Sequence, residues 1–157
     1  VNRKKINETF RKMTNGVYVI TTRYEDKVNG MTAAWVTRVS FSPPLVLVSV
    51  GKTRFTHELI KKGKIFAINI LKEGQIGIGK HFGFQSGKKV NKFANIPYDT
   101  SFTGSPILKE VAGYLDCSLV SSHKAGDHTI FLGEVIEAWV DTKATPLIYR
   151  KEDFFGR

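Results

Sequence analysis

Val111–Val120 (VAGYLDCSLV) and Thr129–Val140 (TIFLGEVIEAWV), separated by Ser121-Ser122-His123-Lys124-Ala125-Gly126-Asp127-His128, decide the fold. The outer stretches alternate apolar and polar side chains, as strands with one buried face do. The segment between them is polar and carries a glycine, so the pair reads as two long antiparallel strands joined at a turn. Upstream, Leu45–Val50 follows the rigid Pro43-Pro44 break and reads as the clearest fully buried strand; Val17–Thr22 and Ile65–Leu71 read as two more. Arg23–Asn29 is expected to be a hairpin connection, with Asn29-Gly30 supplying a positive-φ turn and Met31–Val39 returning as a strand. Pro146–Tyr149 makes a short final strand.

Helical periodicity is confined to short segments. Ile6, Phe10 and Met13 recur at spacings of four and three before Asn15-Gly16, and Thr53 is expected to cap a helix with a Phe55, Leu59, Ile60 stripe that ends at Lys61-Lys62-Gly63. Glu73–Phe82 is a weaker helix, interrupted by Gly74, Gly77 and Gly79, with Ile76, Ile78 and Phe82 along one side. Gln85–Thr103 is a long loop with a helical turn near Lys92-Phe93, of a length that commonly covers or builds a site. Six or seven strands around two or three short helices, without strand-helix-strand repetition, predict a mainly β protein: a small closed or nearly closed antiparallel barrel.

The chain has 157 residues, 41% of them hydrophobic, with 11 Phe, 5 Tyr and 2 Trp, which fits one domain over 1–157 with one core. Its net charge is +10, and the excess lies early: residues 1–96 hold 18 Lys and Arg against 5 Asp and Glu. Such a field attracts a phosphorylated cofactor, a nucleotide or an acidic protein as readily as nucleic acid. The runs Arg3-Lys4-Lys5, Lys61-Lys62 and Lys88-Lys89 are short and dispersed, so they read as solvated surface and no nucleic-acid partner is expected. With no run near 18 apolar residues and no signal peptide, no membrane partner is expected and cytoplasmic residence is. The one cysteine, Cys117, excludes an intrachain disulfide and a thiolate-only metal site, and its strand context reads as a buried structural thiol.

Several cofactor motifs are missing. Gly77-Ile78-Gly79 lacks the last glycine of GxGxxG, no GxxxxGK[ST] occurs, and His57-Glu58 lacks the second histidine of HExxH, so no metal site is expected. More informative is the small-residue run Gly30-Met31-Thr32-Ala33-Ala34-Trp35, which can leave backbone N–H and C=O groups open to the polar edge of a flat ring. Lys52-Thr53-Arg54-Phe55-Thr56 joins a helix start to positive charge and hydroxyl donors suited to a terminal phosphate. A hairpin strand followed by an ordinary capped helix accounts for the same residues without a ligand, and both readings stand.

Taken in order, Gly30–Trp35, Ser42-Pro43-Pro44-Leu45-Val46-Leu47-Val48, Phe66-Ala67-Ile68-Asn69-Ile70-Leu71, Phe82–Phe93, Gly126–Val135 and Pro146–Tyr149 resemble successive signatures of the flavin reductase-like FMN-binding split-barrel family, over roughly residues 8–150. The resemblance implies a homodimeric split β-barrel that holds FMN noncovalently near the subunit boundary, with NADH or NADPH as transient electron donor. It implies an oxidoreductase passing electrons to free flavin, ferric iron or a redox partner such as a monooxygenase or an electron-transfer protein. The alternative within the family is a flavoredoxin-like FMN electron carrier that oxidises NAD(P)H poorly.

The family positions around the flavin correspond to Thr32, Ala33, Ala34, Ser49 and Val50, with Lys52, Thr53, Arg54 and Thr56 toward the phosphate. Trp35 and Phe82 border the ring or pack in the core, and Phe84 is similar. His128 is the catalytic candidate, placed by resemblance at the open flavin face; a turn histidine capping its strand or joining the dimer interface is the other reading. Asp127 is expected to organise the turn. The chain departs from the family pattern at Ala34-Trp35, where many reductases have serine followed by another residue, and at Asn91, where relatives often have aspartate.

Overall fold

The computed structural model describes residues 1–156. Two short helices precede or interrupt the first strands: α1 (Arg3–Phe10), then β1 (Tyr18–Tyr24), β2 (Lys27–Ala33), β3 (Val36–Ser40), β4 (Leu45–Gly51) and α2 (Phe55–Gly63). There follow β5 (Ile65–Ile70), α3 (Ile76–Gly83), β6 (Tyr98–Thr100), β7 (Pro106–Leu108), β8 (Gly113–Ala125), β9 (His128–Val140) and α4 (Lys151–Phe155). Seven strands form one antiparallel sheet in the order β2-β1-β5-β8-β9-β4-β3, and β6 and β7 form a separate ribbon.

The long hairpin lies inside the sheet as β8 and β9. Its register runs from Gly113 opposite Val140 to Ala125 opposite His128, with irregularities that leave Val120 and Ile136 outside the ladder. Both hairpin arms overhang their outer neighbours, because β5 pairs only with Gly113–Ser118 and β4 only with His128–Glu134. The overhang leaves Trp139, Val140, Val120 and Ile136 exposed.

The sheet coils until its two ends share one interior. Met31 and Ala33 of β2 pack in the same cluster as Val46, Val48 and Val50 of β4, together with Ile20, Phe66, Ile68, Cys117 and Phe131. Alternation along β4 sends Val46, Val48 and Val50 inward, while Leu45, Leu47 and Ser49 stay partly exposed, so this strand is buried on one face and not on both. A second cluster on the outer surface joins Val17, Val19, Leu71, Phe82, Phe93, Leu108 and Phe154, covered by α3, α4 and the 85–103 segment. Asn69 ties the two layers: its Nδ2 donates to the Val19 carbonyl at 3.1 Å and its Oδ1 accepts from the Leu108 N–H at 2.9 Å. Cys117 is fully buried, and burial first, then the nearby Asp116 charge, pushes its thiol up to about 12, so it stays protonated.

Four local expectations need correction. The first hairpin turns at Glu25-Asp26, where Glu25 takes φ 55°, and Asn29 and Gly30 lie within β2. Met31–Val39 breaks into two strands at Ala34-Trp35. Helix α2 is capped at Arg54, not Thr53, and without a side-chain cap. Pro146–Tyr149 contributes only isolated bridges, Pro146 to Lys72 and Ile148 to Gly16. The stripe Ile6, Phe10, Met13 is also unlike an ordinary amphipathic helix, since all three side chains are exposed within the chain.

Gly133 shows how tightly the barrel closes. A Cβ there would stand 2.5 Å from Phe66 Cζ and 2.9 Å from Cys117 Cβ. Gly133→Ala is therefore expected to overpack the interior by about 1–3 kcal/mol and to lower the midpoint of thermal unfolding by roughly 3–10 °C. Calorimetry of the two proteins decides it, and an unchanged midpoint would contradict this packing.

Candidate active site

The chain ends of β2 and β4, the start of α2 and the β8–β9 turn meet around one cleft of about 740 Å³. Met31, Thr32, Ala33, Ala34 and Trp35 form one wall, Ser49, Gly51, Thr53 and Arg54 a second, and Gly79, Gly83 and Phe84 the third. Asp127 and His128 close one side; Phe10, Met13, Tyr149, Phe154 and Phe155 give the other end an apolar, aromatic character. Small residues at 33, 34, 51, 79 and 83 leave the backbone close to the surface of the cleft, which suits a flat ring that must reach main-chain donors and acceptors.

Local bonds hold these walls in place. The Ser49 N–H donates to the Trp35 carbonyl at 3.1 Å, locking the β2–β3 break against β4. Thr32 Oγ1 donates to the Gly79 carbonyl at 2.5 Å, pinning β2 to α3. Gly51 and His128 form the last rung between β4 and β9. There His128 is held from two directions: its Nδ1 lies 2.7 Å from Asp127 Oδ1, and its ring centroid is 4.9 Å from that of Trp35. The hydrogen bond with His128, and then its charge, hold the exposed Asp127 carboxyl below its ordinary value. With Nδ1 engaged, Nε2 is the ring nitrogen left for a ligand.

The expected site residues divide in three. Thr32, Ala33, Ala34, Trp35, Ser49, Thr53, Arg54 and His128 line the cleft. Val50, Thr56 and Phe82 are fully buried behind it, and Thr56 Oγ1 accepts from Asn29 Nδ2 at 2.9 Å. Lys52 stands at the rim with its ammonium on the Gly126 carbonyl at 2.6 Å and its N–H on the Asp127 carbonyl at 3.1 Å, so it fastens the β8–β9 turn to the β4–α2 connection. Among the described residues, no three His, Cys, Asp or Glu side chains gather as a metal site.

Arg54 is half-buried at the cleft, and burial lowers the pKa of its guanidinium from the ordinary value. Its charge acts on Lys92, which composition and periodicity did not single out. Lys92 is buried, and its Nζ donates to the carbonyls of Gly30 and Phe82, both at 2.8 Å. Burial, then the Arg54 charge, pushes it down from 10.5 to about 8. Nothing local marks such a residue, because its burial depends on the 85–103 segment folding over β2 and α3.

This lysine has a consequence for stability. Between about pH 8 and 10.5 the unfolded chain binds the Lys92 proton and the folded chain does not, so stability rises with pH across that window; below about pH 8 both bind it and the full penalty remains. The gain is about 2–3 kcal/mol. Chemical denaturation of the flavin-free protein and of Lys92→Met at pH 7.5, 9 and 10.5 is expected to show the parent gaining on the variant as pH rises; parallel curves would refute it.

The chain belongs to the flavin reductase like domain family, whose model matches residues 10–156. It is 38% identical over 139 residues to a high molecular weight rubredoxin of Moorella thermoacetica, covering 87% of this chain and 61% of that one. It is 33% identical over 142 residues to a flavin reductase of Pseudomonas putida, covering 90% and 82%. The solved structure of the NADH:FAD oxidoreductase of Streptomyces globisporus superposes with a TM-score of 0.89 at 32% identity, covering 99% of this chain and 91% of that one. The chain thus spans about three-fifths of the Moorella rubredoxin's length. No helix among the described residues is long and apolar enough to cross a membrane.

Proposed function

We propose that this domain is an NAD(P)H-dependent flavin reductase that holds FMN in the Thr32–Arg54 cleft, works as a homodimer in the cytoplasm, and passes electrons to free flavin, ferric iron or a redox partner. The observation that carries the reading is the joining, in one cleft, of a small-residue backbone ledge, a half-buried cation without a carboxylate partner among the described residues, and an aromatic–imidazole wall. Reductases in the same family, in Pseudomonas and Streptomyces, support it. When bound, the flavin supplies acceptance of a hydride from nicotinamide and its onward release as electrons.

The protein's own part is to bind and orient. Thr32–Ala34 and Ser49 offer main-chain groups to the ring edge, and Arg54 offers charge to the terminal phosphate at the start of α2, which has no side-chain cap. Trp35 and the Asp127-braced His128 shape the face at which nicotinamide docks. The apolar overhang of Trp139, Val140 and Ile136 gives a second copy a surface to bury. Sedimentation of the flavin-loaded protein over a concentration series is expected to give the dimer mass, and a flavin-bound monomer throughout would reject that arrangement.

The test of the activity is anaerobic absorbance: FMN-loaded protein should bleach on addition of NADH or NADPH. The Moorella rubredoxin relative favours a second reading, an electron carrier serving a protein acceptor. Bound FMN that neither nucleotide reduces, but a reduced protein donor does, would select it.

A further inference from the structure

None of the residues of α1 is buried in the chain, and its 8 residues are too few to hold a helix in water unaided. Its side chains line two hollows instead. Phe10 and Met13 border the cleft, Asn7 borders an adjoining hollow of about 370 Å³, and Arg11 borders both. The other walls of the hollow are Tyr149, Lys151 and Phe155, of which Tyr149 and Phe155 also border the cleft. One continuous surface therefore leads from Asp127 and His128, along the cleft, into the hollow. The segment after α1 is tied there by backbone bonds, from the Tyr149 N–H to the Asn15 carbonyl at 2.8 Å and from the Val17 N–H to the Leu147 carbonyl at 3.1 Å.

The hollow joins two kinds of group. Arg11 and Lys151 are exposed cations, and neither has a carboxylate within ion-pair distance among the described residues. Phe155 is 64% exposed with its ring 5.4 Å from that of Phe84, and Tyr149, stacked on Phe154 at 5.6 Å, stays partly exposed. A simple anion would leave the rings unused, and an uncharged aromatic would leave the cations unused. A flat base joined to phosphate uses both.

We propose that this hollow is a subsite for an adenosine phosphate, with the base against Phe155 and Tyr149 and the phosphate between Arg11 and Lys151. The proposal rests on the reading of the cleft as a flavin and nicotinamide site, and adds to it where the far end of a dinucleotide lies. NAD(P)H and a dinucleotide flavin both carry such an end. NADPH carries a 2′-phosphate on it as well, so with a nicotinamide dinucleotide as occupant the two cations favour NADPH over NADH.

Calorimetric titration of the FMN-loaded protein with adenosine 2′,5′-bisphosphate reads the subsite without turnover. The parent is expected to bind it, and Arg11→Ala/Lys151→Ala to bind it at least about tenfold more weakly. Arg11→Lys/Lys151→Arg keeps both charges and is expected to bind it nearly as the parent does. Two comparisons of the parent with the alanine variant then identify the source. A rise of about tenfold in the NADPH concentration that half-saturates anaerobic bleaching, with a smaller rise for NADH, assigns the subsite to the nicotinamide dinucleotide. A loss of FAD affinity of about tenfold with FMN affinity unchanged, by equilibrium titration of the flavin-free protein, assigns it to the flavin tail. A parent that binds the bisphosphate no better than inorganic phosphate, an alanine variant that binds it as the parent does, or NADPH, NADH and FAD all unaffected overturns the proposal. Equal losses of FMN and FAD overturn it too, because the two cations would then be holding the cleft itself. A parent that binds no flavin defeats the reading of the cleft and this proposal with it, whereas a flavin-loaded parent indifferent to the bisphosphate defeats the subsite alone.

Discussion

Replacing His128 by alanine is expected to leave flavin affinity within about twofold of the parent and to slow anaerobic reduction by NADH or NADPH about 100-fold, the scale on which misplacing a reacting group acts. The ring sits at the end of the β4–β9 ladder with Nδ1 on Asp127 and one face toward Trp35, so it is fixed by backbone pairing, a carboxylate and an aromatic together. None of these contacts is made by the Arg54 side chain or by Thr32–Ala34, which is why binding and reduction should separate. Asp127→Asn retains a hydrogen-bond acceptor but loses the charge, and is expected to fall between parent and His128→Ala. Stopped-flow bleaching over a range of nucleotide concentrations separates docking from the reduction step. Unchanged docking and reduction by both nucleotides would return His128 to the role of a turn residue.

Arg54→Ala is expected to weaken FMN about 10- to 150-fold while changing riboflavin little, from the loss of a partly shielded charged hydrogen bond of about 1.5–3 kcal/mol. The guanidinium lines the cleft, is half-buried and has no carboxylate competing for it among the described residues. Lys52 presents a contrast. Its ammonium is engaged by the Gly126 carbonyl, so Lys52→Ala should disturb the His128 turn, and with it reduction, more than the preference for phosphate. Titrations with the two flavins read the difference directly, and equal losses of FMN and riboflavin in Arg54→Ala would move the phosphate elsewhere.

The long hairpin, the strands around Val17–Thr22, Leu45–Val50 and Ile65–Leu71 and the apolar stripe of α2 follow from the sequence alone, because alternation, β-branching and helical spacing are properties of neighbours along the chain. So does the family, through motifs spread over most of the length, and so does the grouping of Thr32–Trp35 with Thr53 and Arg54. Tertiary structure decided the rest. Asn29-Gly30 has the composition of a turn, yet Asn29 is drawn inward by Thr56 from α2, and Gly30 is needed where Phe82 packs, a Cβ there being only 3.1 Å from the Phe82 ring. Thr56 and Lys52 carry phosphate-binding chemistry, but one is spent on Asn29 and the other on Gly126. Lys92 looks like any surface lysine until the 85–103 segment folds its ammonium against β2 and α3. In each case the outcome turns on which distant strand or loop arrives beside the residue. That is set by long-range pairing and closure of the barrel, which no local pattern records.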